Sequence, residues 1–292
     1  MRSTMIASAA FAFIAGSAAA QAPVAPPLAV HQLKPNVYWV EGGGGNSTVI
    51  VGNKGVIVID AKISRANGAE LIADIAQITP KPIEAVFITH SDQDHINGLV
   101  AFPAGVRIIA HEGNKKEQEQ AIAQGGNNIP AADRLPNEVV TKQKQVFTID
   151  GETIETYHWG PGHTNGDLVM YLPKEKIVAT GDLFTTQGPD TTIHDAKSGT
   201  SEGWIANAKG IAALDADVFI LGHGDPQNKA FVQEKLTRLE AKRAKIKELV
   251  AQGKSLNEVR AAFNEPAPVA GANGRMPNAS FTEIVYNEFA KK

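Results

Sequence analysis

Ten short apolar runs, most of them rich in β-branched residues, alternate along this chain with segments of helical period, and that order leaves few folds open. The runs are Val37 to Val40, Ser47 to Val51, Gly55 to Asp60, Ala85 to Thr89, Val106 to Ala110, Val146 to Ile149, Thr153 to Tyr157, Leu168 to Leu172, Lys176 to Thr180 and Val218 to Leu221. Their length and composition predict strands, and Ala85 to Thr89 has the make-up of a strand buried on both faces. Between them, Ser64 to Ile78 places Ala69, Ile72, Ala73, Ile75 and Ala76 at helical spacing and stops before Pro80. Further helices are predicted over Glu112 to Ala123, Glu202 to Ala213 and Asn228 to Ala251, the last with an apolar stripe of Val232, Leu236, Leu239, Ile246 and Val250. Glu234, Glu240 and Glu248 interleave the Lys and Arg of its other side, which reads as a solvated face. Strands and helices alternating in both halves predict an α/β layered fold with helices covering sheet.

Length and charge bound the function. Of the 292 residues, the first twenty read as a signal peptide: Arg2 is followed by an apolar run, Met5 to Gly16, and by Ala18-Ala19-Ala20. The expected product is an exported protein, periplasmic or secreted, with one domain over residues 21–292 whose C-terminal helical part spans about 228–292. The apolar run is about half of the ~20 residues that cross a bilayer, and no later run is long enough, so no membrane span is expected. Without Arg2 the balance is 27 basic against 31 acidic residues, which offers nothing to nucleic acid. There is no cysteine, so stability must come from the core, and thiolate metal ligands are excluded.

The chemistry is concentrated where the strands end. Thr89-His90-Ser91-Asp92-Gln93-Asp94-His95 offers four ligand-type side chains as a buried strand runs out into a loop. Alternation in an extended chain sends His90, Asp92 and Asp94 to one side, and a turn after Asp94 frees His95 for a neighbouring position. His163 in Pro161-Gly162-His163-Thr164, Asp182 after Thr180-Gly181 and His223 in Leu221-Gly222-His223-Gly224 add one ligand each beside a glycine. Glycine lets the backbone bend sharply and come close to a metal centre. Gly42 to Gly45 lacks the following helix that a phosphate cradle needs, and reads as a flexible loop at the border of a cleft. His158 and His194 fall in loops, with contact to substrate as one reading and a place at the surface as the default. Gly125 to Asn137 and Pro266 to Pro277 are candidate cleft walls, with plain linkers as the default.

This order of residues resembles the signature of the metallo-β-lactamase superfamily, His-x-His-x-Asp-His followed by a later His, a Gly-Asp and a final Gly-His. The resemblance implies a four-layer αββα sandwich of two mixed β-sheets flanked by helices, with the site at one edge between two related halves. It implies that His90 and His163 hold a first metal, that Asp94, His95 and His223 hold a second, and that Asp182 bridges them. Asp60 matches an aspartate that orients a metal-bound His. One position departs: the second His of the signature is Asp92 here. A carboxylate can ligate the same metal but brings charge and a harder donor, which tilts that position toward iron or manganese. With Asp92, Asp94 and Asp182 ionised, two divalent metals and one hydroxide sum to zero charge.

The implied activity is a zinc-dependent metallohydrolase with two zinc ions per chain, the alternative being a weakly filled first site beside a working mononuclear second site. Metal-activated hydroxide would attack a small carbonyl substrate, a β-lactam or a lactone or ester, with Asp94 orienting it and relaying a proton. Asp182 stands where dedicated β-lactamases of the superfamily carry Cys or Ser, and resembles the lactonase, thioesterase and phosphoesterase branches. The competing expectations are an iron-dependent oxidoreductase, suggested by Asp92, and a silent binding protein that keeps the fold. Oligomeric state is not legible.

Overall fold

Strands without polar positions need cover on both faces, and the chain supplies it by stacking two sheets between two layers of helix. The computed structural model describes residues 26–125, 132–270 and 278–290, so the segment read as a signal peptide lies outside the described residues. The first sheet holds β1 (Ala29–Lys34), β2 (Val37–Glu41), β3 (Ser47–Val51), β4 (Val56–Ile59), β5 (Ile83–Phe87), β6 (Arg107–His111) and β7 (Glu138–Val140), in that spatial order. It is antiparallel through β4 and parallel beyond it. The second sheet holds β8 (Lys144–Ile149), β9 (Glu152–Tyr157), β10 (Val169–Leu172), β11 (Ile177–Ala179) and β12 (Val218–Ile220), in the order β12-β11-β10-β9-β8. Only its β11–β12 pair is parallel. Both sheets are thus mixed, as the resemblance implied.

Strand alternation sorts the side chains into three apolar layers. Ile57, Ile59 and Phe87 face inward against Phe147, Ile154, Met170 and Ile177 of the second sheet. Val58 and Val86 face outward beneath Leu71 and Ile75 of α1 (Arg65–Ile78). On the other side Val169, Val178 and Phe219 pack against Trp204 and Ile211 of α4 (Ser201–Ala213), Val232, Leu239 and Ile246 of α5 (Lys229–Ala251), and Ile284 of α7 (Phe281–Ala290). Burying each such side chain contributes roughly 1.5–3 kcal/mol. Ser64 and Asn228, the first residues of two of the four predicted helical segments, are the N-caps of α1 and α5, accepting from Asn67 N and Phe231 N.

Three features depart from the pattern reading. The two edge strands of the first sheet, β1 and β7, are too mixed in polarity or too short to read as strands. Gln93–Ile96 is a short helix, α2, rather than an extended run with a turn after Asp94. Past α3 (Glu112–Ala123), the loop from Gly125 is described only outside 126–131, and its end is tied down: Asn137 accepts from Ile108 N and donates to Val106 O at the start of β6. Of the other candidate wall, 266–270 is exposed coil and 271–277 lies outside the described residues.

The sheets meet along one rim. Leu168 N donates to Thr89 O at 2.7 Å, and Asn46 N donates to Gly222 O at 2.8 Å. That seam brings together the ends of β4, β5, β11 and β12 and the loop between β9 and β10, where the candidate ligands lie. No described helix is long and apolar enough to cross a membrane.

Candidate metal centre

All seven predicted side chains converge on this rim, in two groups whose donor atoms lie within 4.8 Å of one another. One group is His90, Asp92, His163 and Asp182; the other is Asp94, His95 and His223. Asp182 also reaches the second group, with Oδ1 3.2 Å from His95 Nε2 and Oδ2 3.4 Å from His223 Nε2. The short helix α2 divides the ligands differently from simple alternation. Asp92, still extended, stays with His90, while Asp94 turns away with His95.

Asp60 fixes two of the imidazoles. Its backbone is left-handed at φ 61° and its side chain is buried. Thr89 N donates to Asp60 Oδ1 at 2.8 Å, the Thr89 hydroxyl donates to Oδ2 at 2.7 Å, and His95 Nδ1 donates to the same Oδ2 at 2.7 Å. With its proton committed, the Thr89 oxygen accepts from His90 Nδ1 at 2.9 Å. On the far side, His163 Nδ1 donates to Thr192 O at 2.9 Å. Each ring therefore carries its proton on Nδ1 and turns the Nε2 lone pair inward.

These inward atoms supply the test of whether the residues fit a metal. Among the described residues, His90 Nε2, His95 Nε2 and Asp182 Oδ1 are buried and make no hydrogen bond, although the last two stand 3.2 Å apart. Buried polar atoms without partners are costly. Four imidazoles and three carboxylates turned on one another, three of their buried atoms without a hydrogen-bond partner, fit divalent cations.

The electrostatics agree. Burial pulls the His163 and His223 imidazoles down, but facing carboxylates outweigh it: Asp92 and Asp182 push His163 up to about 9, and Asp182 and Asp94 push His223 up to about 9. His95, fully buried, rises well above the ordinary range because Asp60 and Asp182 flank it. Burial likewise works to raise Asp92, Asp94 and Asp182, and the surrounding imidazoles hold all three below the usual carboxylate range. Without a cation these imidazoles bind protons, which a metal would displace.

Close backbone approach completes the rim. A Cβ at Gly45 would lie 2.2 Å from the His95 ring, so the glycine loop is packed onto a ligand and is no loose border. Lys62, fully buried, ties it there by donating to Gly45 O at 2.9 Å and Val40 O at 2.7 Å, and burial pulls its ammonium down to about 7.

Sequence reasoning missed part of the site. His194, expected at the surface, sets Nε2 3.0 Å from Asp92 Oδ2, and Lys197 forms an ion pair with Asp92 Oδ1. Asp167 gathers the His163 turn by accepting from the backbone N–H of Gly162, His163 and Thr164. Its signal, an acid four residues after His163 in a Gly-rich turn, was available. Lys197 gave none. His158 stays outside the cluster, stacked on His111 at 3.8 Å and donating from Nδ1 to Asp167 O.

A fold of two stacked mixed sheets, with His and Asp ligands at the strand ends of one rim, is matched by known proteins. The metallo-beta-lactamase superfamily description covers residues 40–223, and the chain belongs to that family. It is 26% identical over 200 residues to the 2,4-dinitroanisole O-demethylase subunit alpha of Nocardioides sp. (strain JS1661), covering 68% of this chain and 58% of that one. It is 26% identical over 280 residues to the atrochrysone carboxyl ACP thioesterase of Aspergillus fumigatus, covering 91% of this chain and 79% of that one. The solved sec-alkylsulfatase Pisa1 from Pseudomonas sp. superposes with a TM-score of 0.72 at 19% identity, over 90% of this chain and 50% of the sulfatase. The chain thus spans little more than half of the demethylase subunit and half of the sulfatase. Members of this superfamily are mostly hydrolytic enzymes that bind metal ions.

Proposed function

We propose that the chain is a metal-dependent hydrolase of small ester or thioester substrates, holding two divalent cations, zinc before iron or manganese. His90, Asp92 and His163 would hold one cation, Asp94, His95 and His223 the other, and Asp182 would lie between them. The observation that carries this reading is the convergence of buried, unpartnered His90 Nε2, His95 Nε2 and Asp182 Oδ1. When bound, such a metal pair supplies an activated water at neutral pH and a counter-charge for the carbonyl oxygen.

The protein's own part is orientation and proton handling. Asp60 holds His95 directly and His90 through the Thr89 hydroxyl, so neither ring can rotate as substrate arrives. Asp94, on the more open side of the cluster with 27% of its side chain exposed, is the carboxylate able to orient the attacking water. It takes the proton there and passes it to the leaving group. A thioester or ester is preferred over a β-lactam because the thioesterase likeness extends over nearly the whole chain and Asp182 is a carboxylate. Export through residues 1–20 belongs to the same proposal, and N-terminal sequencing of secreted material checks it.

Metal analysis of the purified chain tests the reading, alongside assays with a p-nitrophenyl ester, an acyl thioester, a lactone, a chromogenic cephalosporin and an alkyl sulfate. About two zinc ions per chain with chelator-sensitive ester or thioester cleavage is expected. Cleavage confined to the cephalosporin or the sulfate would replace the substrate class. Iron with O₂ consumption and no hydrolysis would replace the reaction.

A further inference from the structure

Lys197 is a cation placed where the chain would bind another cation. Its Nζ forms an ion pair with Asp92 Oδ1 and lies 3.0 Å from Ser91 Oγ. The backbone seats it firmly: Asn165 N donates to Lys197 O at 2.9 Å, Lys197 N to His194 O at 2.9 Å, and His194 N to His163 O at 2.8 Å. With Oδ1 engaged, Asp92 has Oδ2 left for the cluster. That oxygen is 3.2 Å from His163 Nε2 and 3.7 Å from His90 Nε2, and it is shared with His194 Nε2 at 3.0 Å.

The other group is built without such a rival. Asp94 Oδ2 lies 3.1 Å from His223 Nε2 and 3.7 Å from His95 Nε2, and among the described residues no lysine or arginine pairs with Asp94. Three ionised carboxylates balance two dications and one hydroxide. Lys197 adds one further positive charge, and that charge falls on the Asp92 side. An ammonium and a dication competing for one carboxylate repel each other and divide its charge.

We infer that Lys197 weakens the His90–Asp92–His163 pocket, so that metal fills the Asp94–His95–His223 pocket first and the two bind in separate steps. This rests on the reading of the cluster as a metal centre and adds an order of filling and its cause. Lys197 is then a positioning residue that sets metal occupancy through Asp92. Its ammonium charge, more than the shape of its side chain, is what counts.

The experiment is a zinc titration of the chelator-stripped full-length chain in competition with a chromophoric chelator, repeated with Co²⁺ to follow its visible absorption. Wild type should show two steps separated by about tenfold or more, given a unit charge held against one pocket at an effective dielectric of about 20. His163→Ala should remove the weaker step and His223→Ala the tighter one. Lys197→Met should tighten the weaker step by about tenfold or more with the fold intact by thermal melting, whereas Lys197→Arg, which keeps the charge, should leave both steps in place. A purely structural lysine would give the opposite order, with a weakened step in Lys197→Met. Two equal steps in wild type, or a weaker step that Lys197→Met loosens or leaves unmoved, would overturn the inference while the metal centre stands. No binding by wild type would overturn both.

Discussion

Asp92 and Asp94 are two residues apart in sequence, yet the start of α2 sends them to opposite sides of the cluster, where they keep different company. On the Asp94 side the supports are anionic: His95, fully buried, donates to the Asp60 carboxylate, which makes its ring a more basic ligand. On the Asp92 side the groups that the ligand side chains lean on are neutral or cationic, and the one carboxylate there, Asp167, holds the backbone of the His163 turn. His163 donates to the carbonyl of Thr192, His90 reaches Asp60 only through Thr89, and Lys197 pairs with the ligand carboxylate itself. Two pockets with nearly the same donor types are thus given unequal strength by the residues behind them. Affinity in such a centre is set as much by what the ligands lean on as by the ligands.

The largest effect should come from Asp94. If it handles the proton, Asp94→Asn lowers kcat of the metal-loaded chain by about 10²–10⁴-fold, the range general acid–base groups contribute. Metal content is measured on the same sample, since Asp94 also faces the tighter pocket. A variant that keeps two metals and full kcat would remove Asp94 from the chemistry and with it the division of labour between the two aspartates.

Asp60→Asn should come next and should separate the pockets. An amide cannot accept all three hydrogen bonds from Thr89 and His95, so the His95 ring loses its orientation while His90 keeps the Thr89 hydroxyl. Residues supporting metal ligands typically cost about 10–100-fold in metal affinity, and that loss should fall on the tighter step. Equal weakening of both steps would mean that Thr89 transmits the change in full and that the pockets are not independent.

How much of this the sequence revealed depended on the range of the signal. His163 was legible as a His beside a glycine in the turn between β9 and β10, and the other six ligands because they follow apolar runs, whose ends gather at one edge in a layered α/β fold. Asp60 was legible for the same reason. The assignment of Asp92 and Asp94 to one side was not sound, because Gln93–Ile96 is too short to show a helical period. Edge strand β1, with Val-His-Gln-Leu between its end residues, lacks the apolar alternation of a half-buried strand. Lys197 and Asp167 lie in polar loops, and only the folded seam between the sheets gives them their partners. Charge compensation across more than a hundred residues, as between Lys197 and Asp92, leaves no local pattern to read.

The smallest effect concerns pH, and it tests whether proton competition contributes to the difference between the pockets. In the metal-free chain His163 and His223 rise from 6.5 to about 9, and His95 also rises. Groups with raised folded-state values stabilise the fold fully below 6.5, and that stability is lost as pH climbs through about 9. Asp92, Asp94 and Asp182 are held below 3.8, so their contribution is present above that value and is lost as the solution becomes strongly acidic. The metal-free melting temperature should therefore fall between about pH 6.5 and 9, while the stabilisation added by zinc grows over the same interval as fewer protons must be displaced. His163 stands in one pocket and His223 with His95 in the other, so both zinc steps should tighten as pH rises, the tighter one at least as much, and their separation should not shrink. Melting curves of stripped and loaded protein, with titrations at three pH values, measure both quantities. A separation that shrinks as pH rises would assign the weakness of the Asp92 pocket to protons on its imidazoles and not to Lys197.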